Sequence, residues 1–163
     1  MLTTETRIGA TTFTQPSDTQ LVATRVFEVP RELVWAAHTQ CEHLQKWQLG
    51  PEGWTMPTCQ VDLRPGGSYR YVYAGPEGAG FQFSGAYREV QPPERLVNTE
   101  MLDDGPTETL NTLTLAEENG HTILRVVVDY PSREVREEII ATGMLEGWAE
   151  SYDVLDTYLH SLK

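Results

Sequence analysis

Glu100 is the carboxylate best placed for acid or base chemistry. It lies between Thr99 and Met101 in a stretch that reads as a strand, and the two-residue period puts it on one face with Leu96 and Asn98. A carboxyl held in an apolar pocket is harder to ionise, so its pKa rises and it can exchange protons near neutrality. The plainer alternative is an exposed strand glutamate, or one paired with Arg70, Arg88 or Arg125. His38, Cys41, Glu42 and His43 lie close together, as metal ligands do, but a helix break between His38 and Cys41 scatters their directions. No second cluster completes a four-coordinate site, so neither a metal nor another cofactor is expected. His43 then faces solvent or caps a short helix, and His121 and His160 read as surface residues. Gly66-Gly67 precedes a strand, where a phosphate loop needs a helix or a lysine, so a tight turn suffices.

Binding chemistry has more support than catalysis. Tyr69, Tyr71 and Tyr73 share one face of a strand, and Phe81, Phe83, Gly85 and Tyr87 share one face of another. Leu124, Val126, Val128 and Tyr130 line a third, and Leu113 and Leu115 have Asn111 on their own side. Aromatic side chains bearing hydroxyls can line a pocket that is apolar overall with a few polar anchors, or they can simply fill a core. The candidate ligand-binding residues are Trp47, Tyr69, Tyr71, Phe83, Glu100, Asn111, Met144 and Trp148. No residue is assigned a catalytic role.

These side chains need elements to hold them. Ser132 to Leu162 is the one long segment with apolar residues at helical spacing: Ile140, Met144, Trp148, Leu155, Leu159 and Leu162 form a stripe, with Tyr152 and Tyr158 at its margins. Pro131 ends the preceding strand, Ser132 is a ready N-cap, and Glu134, Glu137 and Glu138 suit the positive end of the dipole. Gly143 and Gly147 permit a bend. Strands are expected at 21–29, 55–63, 68–74, 80–90, 95–102, 107–116 and 122–130, separated by Gly-, Pro- and Asp-rich turns. A helix from Pro30 through His38 and a second behind the capping-box sequence Thr39-Gln40-Cys41-Glu42 follow the first strand. Residues 1–19 read as an N-terminal arm, with a short extra strand around 10–14 as the alternative, and residues 20–163 as one domain. The outline is α+β: a seven-stranded curved antiparallel sheet, two short helices and a long C-terminal helix.

Composition excludes some partners. Twenty-four acidic against twelve basic residues give a formal net charge of −12, which argues against nucleic acid and anionic membrane. No apolar run is long enough for a membrane span, and the N-terminus lacks a basic region followed by an apolar one, so cytoplasmic residence is expected. Cys41 and Cys59 are expected to be buried free thiols.

Several separated motifs then carry a resemblance. They are residues 25–35 (RVFEVPRELVW), Glu42-His43-Leu44 with Trp47, Asp62-Leu63-Arg64-Pro65-Gly66-Gly67, Phe83-Ser84-Gly85, residues 92–97 (PPERLV), and Gly143-Met144 with Gly147-Trp148. In this order they resemble the START-like (SRPBCC) superfamily, and within it homologues of the activator of the 90-kDa heat-shock protein's ATPase, over about residues 20–160. The resemblance implies a helix-grip fold, an antiparallel sheet wrapped round a C-terminal helix, often with an apolar cavity between them. Such a fold hosts lipid carriers, hormone receptors, polyketide cyclases and co-chaperone domains, so function must come from the site. Three readings follow: a binder of a small hydrophobic or aromatic molecule or lipid, a cyclase- or hydrolase-like enzyme using Glu100, and a protein-interaction module. Homodimerisation through Tyr152, Tyr158 and Trp54-Thr55-Met56 is the association easiest to envisage.

Overall fold

The computed structural model describes residues 5–49 and 52–162. In chain order the elements are β1 (Glu5–Ile8), β2 (Thr11–Thr14), β3 (Gln20–Phe27), α1 (Arg31–Thr39), α2 (Cys41–Trp47), β4 (Thr55–Val61), β5 (Ser68–Ala74), β6 (Gly80–Gln91), β7 (Arg95–Leu102), β8 (Glu108–Glu118), β9 (His121–Asp129), α3 (Arg133–Ile140) and α4 (Met144–Ser161). The strands form one sheet, ordered β1-β2-β3-β9-β8-β7-β6-β5-β4, with every pairing antiparallel. From β4 to β9 this is a meander joined by short turns. The α1–α2 crossover carries the chain from β3 to the far edge, so β3 ends beside β9.

Nine strands stand where seven were expected, because residues 5–14 fold back as a hairpin onto β3. This hairpin was hard to read from sequence: it is threonine-rich, its first strand has no fully buried residue, and its turn rests on Gly9 at φ +61°. Phe13 is its one large buried side chain.

The C-terminal helix is also divided. Ser132 caps α3 as expected, its hydroxyl accepting from the Val135 N–H at 3.2 Å. Gly143 then takes a left-handed φ of 88°, which glycine adopts without steric cost, and α4 starts afresh beyond it. Restarting shifts the phase of the apolar stripe. Leu145, Ala149, Tyr152, Leu155 and Leu159 are buried, Met144 and Trp148 flank them half-buried, and Leu162 is exposed. The capping box does not form: Thr39 donates its hydroxyl back to the Trp35 carbonyl, and Gln40 takes the cap position of α2 without a side-chain bond. Pro30 likewise sits at the N-cap of α1 rather than in its first turn.

The cysteines are not free thiols. Cys41, at the start of α2, and Cys59, on β4, are joined by a disulfide with Cα atoms 5.7 Å apart. A separation of 18 in sequence gave no hint of this contact, which arises because the crossover lays α2 against β4.

The buried residues divide into two clusters. One gathers α1, α2, the C-terminal half of α4 and the aromatic end of the sheet, around Phe27, Trp47, Tyr71 and Leu155. The other gathers Phe13, Leu21, Val128, Tyr130 and Leu145. Half-buried Val126 and Trp148 touch both. Arg25 fastens α4 to the sheet: its side chain is 5% exposed, and its guanidinium reaches Asp153 at 2.6 Å and Asp156 at 3.7 Å. The surface proposed for homodimerisation is largely internal, since Tyr152 and Met56 are buried and Tyr158 bonds His43 at 2.6 Å. His43 therefore neither faces water alone nor caps its helix.

Candidate functional site

The register of β5 to β9 decides which side chains meet on the inner, helix-facing side. Tyr69 pairs with Gly85 and Tyr71 with Phe83; Tyr87 pairs with Asn98, Asn98 with Asn111, and Asn111 with Val128. Paired residues in an antiparallel ladder point the same way, so these form a continuous row across five strands. Leu96, Asn98 and Glu100 share that face through the two-residue period, as do Leu113 and Asn111.

Burial along this face is uneven. Tyr69, Tyr71, Tyr87, Leu96, Leu113, Leu124 and Val128 are buried, whereas Phe83, Asn98, Glu100, Asn111 and Val126 keep accessible surface. On α4, Met144 and Trp148 are also half-buried, Trp148 touching the same two core clusters as Val126. Inward-facing side chains that keep accessible surface are thus bordered on this face by side chains that keep almost none. Within this band, Val126 touches both core clusters and Phe83 only the first.

Gly85 lets a polar wall form on this face. A Cβ there would stand 1.9 Å from the Thr99 carbonyl oxygen and 2.9 Å from Cε1 of Tyr69, so only glycine allows the Tyr69 ring to lie across this position. The Tyr69 hydroxyl donates to the Thr99 carbonyl at 2.6 Å and accepts from Asn98 Nδ2 at 3.0 Å. Asn98 Nδ2 also donates to the Thr99 carbonyl at 3.1 Å.

The Asn111 side chain lies near enough to Glu100 to act on its carboxyl, and its own oxygen accepts from the Thr109 hydroxyl at 3.2 Å. That bond orients the amide with its NH2 toward the carboxylate. Among the described residues no arginine or lysine forms an ion pair with Glu100, so neither Arg70, Arg88 nor Arg125 is its partner. Burial raises its pKa, and the Asn111 amide opposes the rise. The Glu100 charge acts on three tyrosines. Burial, then Glu100, holds the Tyr69 hydroxyl well above its ordinary range, and the same two causes push Tyr130 up to about 12. Tyr73 is raised first by burial, with Glu100 adding to the rise.

Of the eight sequence candidates, Tyr69, Tyr71, Phe83, Glu100 and Asn111 lie together on the inner face of adjacent strands. Tyr71 is fully packed, its ring centroid 4.9 Å from that of Tyr69. Met144 meets the Tyr130 hydroxyl through its sulfur at 3.9 Å, and the Trp148 ring centroid lies 5.5 Å from Phe13 and 6.1 Å from Tyr152. Trp47 stands elsewhere, in the junction of α1, α2 and α4, with its indole N–H committed to the Ala37 carbonyl at 2.8 Å. Tyr73, Asn98 and Tyr130 belong to the site although they were not chosen. The two-residue period already puts Asn98 on the face of Glu100, Tyr73 with Tyr69 and Tyr71, and Tyr130 with Val128.

Among the described residues no group of three or more potential metal ligands is gathered, at His38 or elsewhere. The His38 Nδ1 bonds the Val34 carbonyl at 2.7 Å, and its Nε2 is buried without a partner among Trp47 and Tyr152. Burial lowers its pKa to about 4, so the ring is neutral at pH 7. A depression of about 410 Å³ is lined by Gln60, Ser68, Tyr69, Arg70, Ser84 and Gly85, so it reaches the Tyr69–Gly85 pair although Glu100 does not line it. Among the described residues no helix is long and apolar enough to cross a membrane.

Comparison with known proteins follows the same outline. A sequence profile of the family described as Activator of Hsp90 ATPase homolog 1-like protein matches residues 28–160. A solved structure of a protein from Rhodobacter sphaeroides is 36% identical, with 91% of this chain and 97% of that one aligned at a TM-score of 0.86. A Nitrosomonas europaea protein is 28% identical over 90% of this chain and 97% of its own, at a TM-score of 0.80. A Chromobacterium violaceum protein is also 28% identical, over 88% and 98%, at 0.75. Among curated proteins, none matches.

Proposed function

The chain belongs to the Activator of Hsp90 ATPase homolog 1-like family, with its START-like fold, and from that premise we propose that it binds a small hydrophobic or aromatic molecule between the inner sheet face and α4. The observation that carries this reading is the half-buried band Phe83, Asn98, Glu100, Asn111 and Val126 on the inner sheet face, with Met144 and Trp148 of α4 half-buried as well. A solid core would bury these side chains as fully as their neighbours. Apolar walls with a few convergent polar groups are the usual make-up of a small-molecule site. Titration with 1-octanol, followed by tryptophan fluorescence and calorimetry, tests it. Saturable one-to-one binding that Trp148→Ala weakens is expected, and the absence of saturable binding would dismiss the reading.

A second reading, acid–base catalysis of the cyclase or hydrolase kind, rests on Glu100. It is a carboxyl whose pKa burial raises, on the inner sheet face with some surface still accessible. A turnover assay on a bound guest, with Glu100→Gln as the variant, tests it: unchanged turnover removes Glu100 from the chemistry. Cytoplasmic residence is part of the proposal and has a consequence. There the Cys41–Cys59 pair would be held largely as thiols, so labelling cysteines in intact cells before and after reduction decides the compartment.

A further inference from the structure

The depression of about 410 Å³ lined by Gln60, Ser68, Tyr69, Arg70, Ser84 and Gly85 gathers polar side chains that no other part of the molecule uses. The register explains its make-up. Gln60 pairs with Arg70 and Arg70 with Ser84, so these three side chains form one row across β4, β5 and β6. The two-residue period adds Ser68 to the Arg70 face and sets that row on the side of the sheet opposite the Tyr69 side chain. Two serines and a glycine flank the arginine, where larger residues would fill the hollow.

Arg70 is the one cation lining the depression, and it is exposed. No described carboxylate pairs with it, although the chain carries twice as many acidic as basic residues. The described ion pairs engage Arg25, Arg31, Arg64, Arg95, Arg133 and Arg136 instead. Arg88, four residues from Ser84 on β6, is likewise without an ion pair among the described residues and adds positive potential to these strands. Two carboxylates stand close by, and both are engaged. Asp62 holds Arg64 at 3.0 Å, and Asp104 accepts from Gln82 Nε2 at 3.1 Å and from the Ser84 hydroxyl at 3.3 Å. The Ser84 proton is therefore committed. Among the described residues, the Arg70 guanidinium, the Gln60 amide and the Ser68 hydroxyl make no side-chain hydrogen bond.

A guanidinium presents five N–H donors in a planar fork that matches the two oxygens of a carboxylate, and an amide and a hydroxyl beside it supply further donors. The volume suits a ring-sized molecule, since small-ligand sites begin near about 300 Å³. Asp62, Asp104 and the net charge of −12 oppose a doubly charged phosphate more than a singly charged carboxylate. We propose that this depression binds small monocarboxylic acids in their ionised form. Arg70 takes both carboxylate oxygens, Gln60 and Ser68 donate from beside it, and the body of the acid lies over Gly85 and the serines. The site is separate from the proposed one between the sheet and α4 and rests on none of its observations.

Benzoate, benzamide and phenyl phosphate share one ring and differ in charge, so the test titrates each into nitrogen-15-labelled protein at pH 7.5 and moderate salt. Benzoate should shift the amide signals of Ser68, Arg70, Ser84 and Gly85 saturably, with a Kd on the order of 1 mM. Benzamide and phenyl phosphate should bind about 3-fold more weakly or worse. Arg70→Gln, a change at an exposed position whose folding the same spectrum reports, should weaken benzoate about 5-fold or more. Arg125→Gln, on exposed β9 residue 125 that also lacks a described ion pair, should leave the benzoate affinity unchanged and controls for net charge. Equal affinities for the three probes, an unchanged affinity in Arg70→Gln, or equal losses in both variants would overturn the proposal. No saturable shift at roughly tens of millimolar would overturn it too. Saturable shifts confined to Phe83, Asn111 and Trp148 would also overturn it, while adding to the case for a guest between the sheet and α4.

Discussion

Replacing Gly85 with alanine would place a methyl carbon 1.9 Å from the Thr99 carbonyl oxygen and 2.9 Å from the Tyr69 ring. The first neighbour is backbone, so β6 and β7 must part locally. The second is an aromatic ring, which must leave its place over residue 85. Moving the ring breaks the Tyr69–Thr99 and Asn98–Tyr69 hydrogen bonds, each worth about 0.5–1.5 kcal/mol. Overpacking adds a further 1–3 kcal/mol or so, giving a loss of about 2–6 kcal/mol. For a chain of this size that lowers the melting temperature by roughly 10 °C at the middle of the range. Thermal and urea unfolding followed by circular dichroism measure it. Tyr69→Phe, which removes the hydroxyl but keeps the ring, should cost only about 1 kcal/mol. In a Tyr69→Ala background the Gly85→Ala penalty should shrink without vanishing, because the Thr99 clash remains. A Gly85→Ala protein within about 1 kcal/mol of the parent would refute the claim that the ring's close approach shapes this wall.

Further perturbations probe the elements around the cleft. Arg25→Ala should cost about 2–4 kcal/mol in urea unfolding, since it removes a charge-assisted bond and a buried stem, while Arg25→Met, nearer in volume, should cost under about 1.5 kcal/mol because the half-exposed Asp153 can rehydrate. His38 binds its proton at about pH 4 in the fold and near 6.5 when unfolded, so stability should fall as pH drops from about 6.5 towards 4, by on the order of 2–3 kcal/mol. His38→Phe should remove that part of the pH dependence, and an unaltered profile would mean the ring is not desolvated. Reducing the Cys41–Cys59 bridge, which closes a loop of sequence separation 18, should lower the unfolding free energy by about 3 kcal/mol, read as a shift in the urea midpoint on adding reductant.

Strand periodicity recovered more than helix phase or long-range contact. Seven strands are visible in sequence because Pro, Gly and Asp turns punctuate β-branched runs, and the same alternation correctly put Glu100 with Asn98 and Asn111 with Leu113 on inner faces. The two N-terminal strands were masked by a threonine-rich composition in which only Phe13 and Thr11 are fully buried. In the C-terminal segment the left-handed Gly143 resets the phase, so a single wheel drawn through Ile140 and Leu162 favoured Met144 and Trp148 over Leu145 and Ala149. The disulfide, the Arg25 clamp and the His43–Tyr158 bond join residues 18, 128 and 115 positions apart, and no local pattern encodes such contacts. The Glu100 site falls between these cases: each member's face was legible, while the enclosure that raises the carboxyl's pKa depends on how the two core clusters stand apart.

The most direct measurement is isotope-filtered NMR of the labelled protein saturated with 1-octanol, reading contacts between the alkyl protons and protein side chains. Contacts to Phe83, Met144 and Trp148 are the predicted result, placing the guest between the sheet and α4. Contacts confined to the outer face around Gln60, Arg70 and Ser84, or none at saturating alcohol, would contradict it.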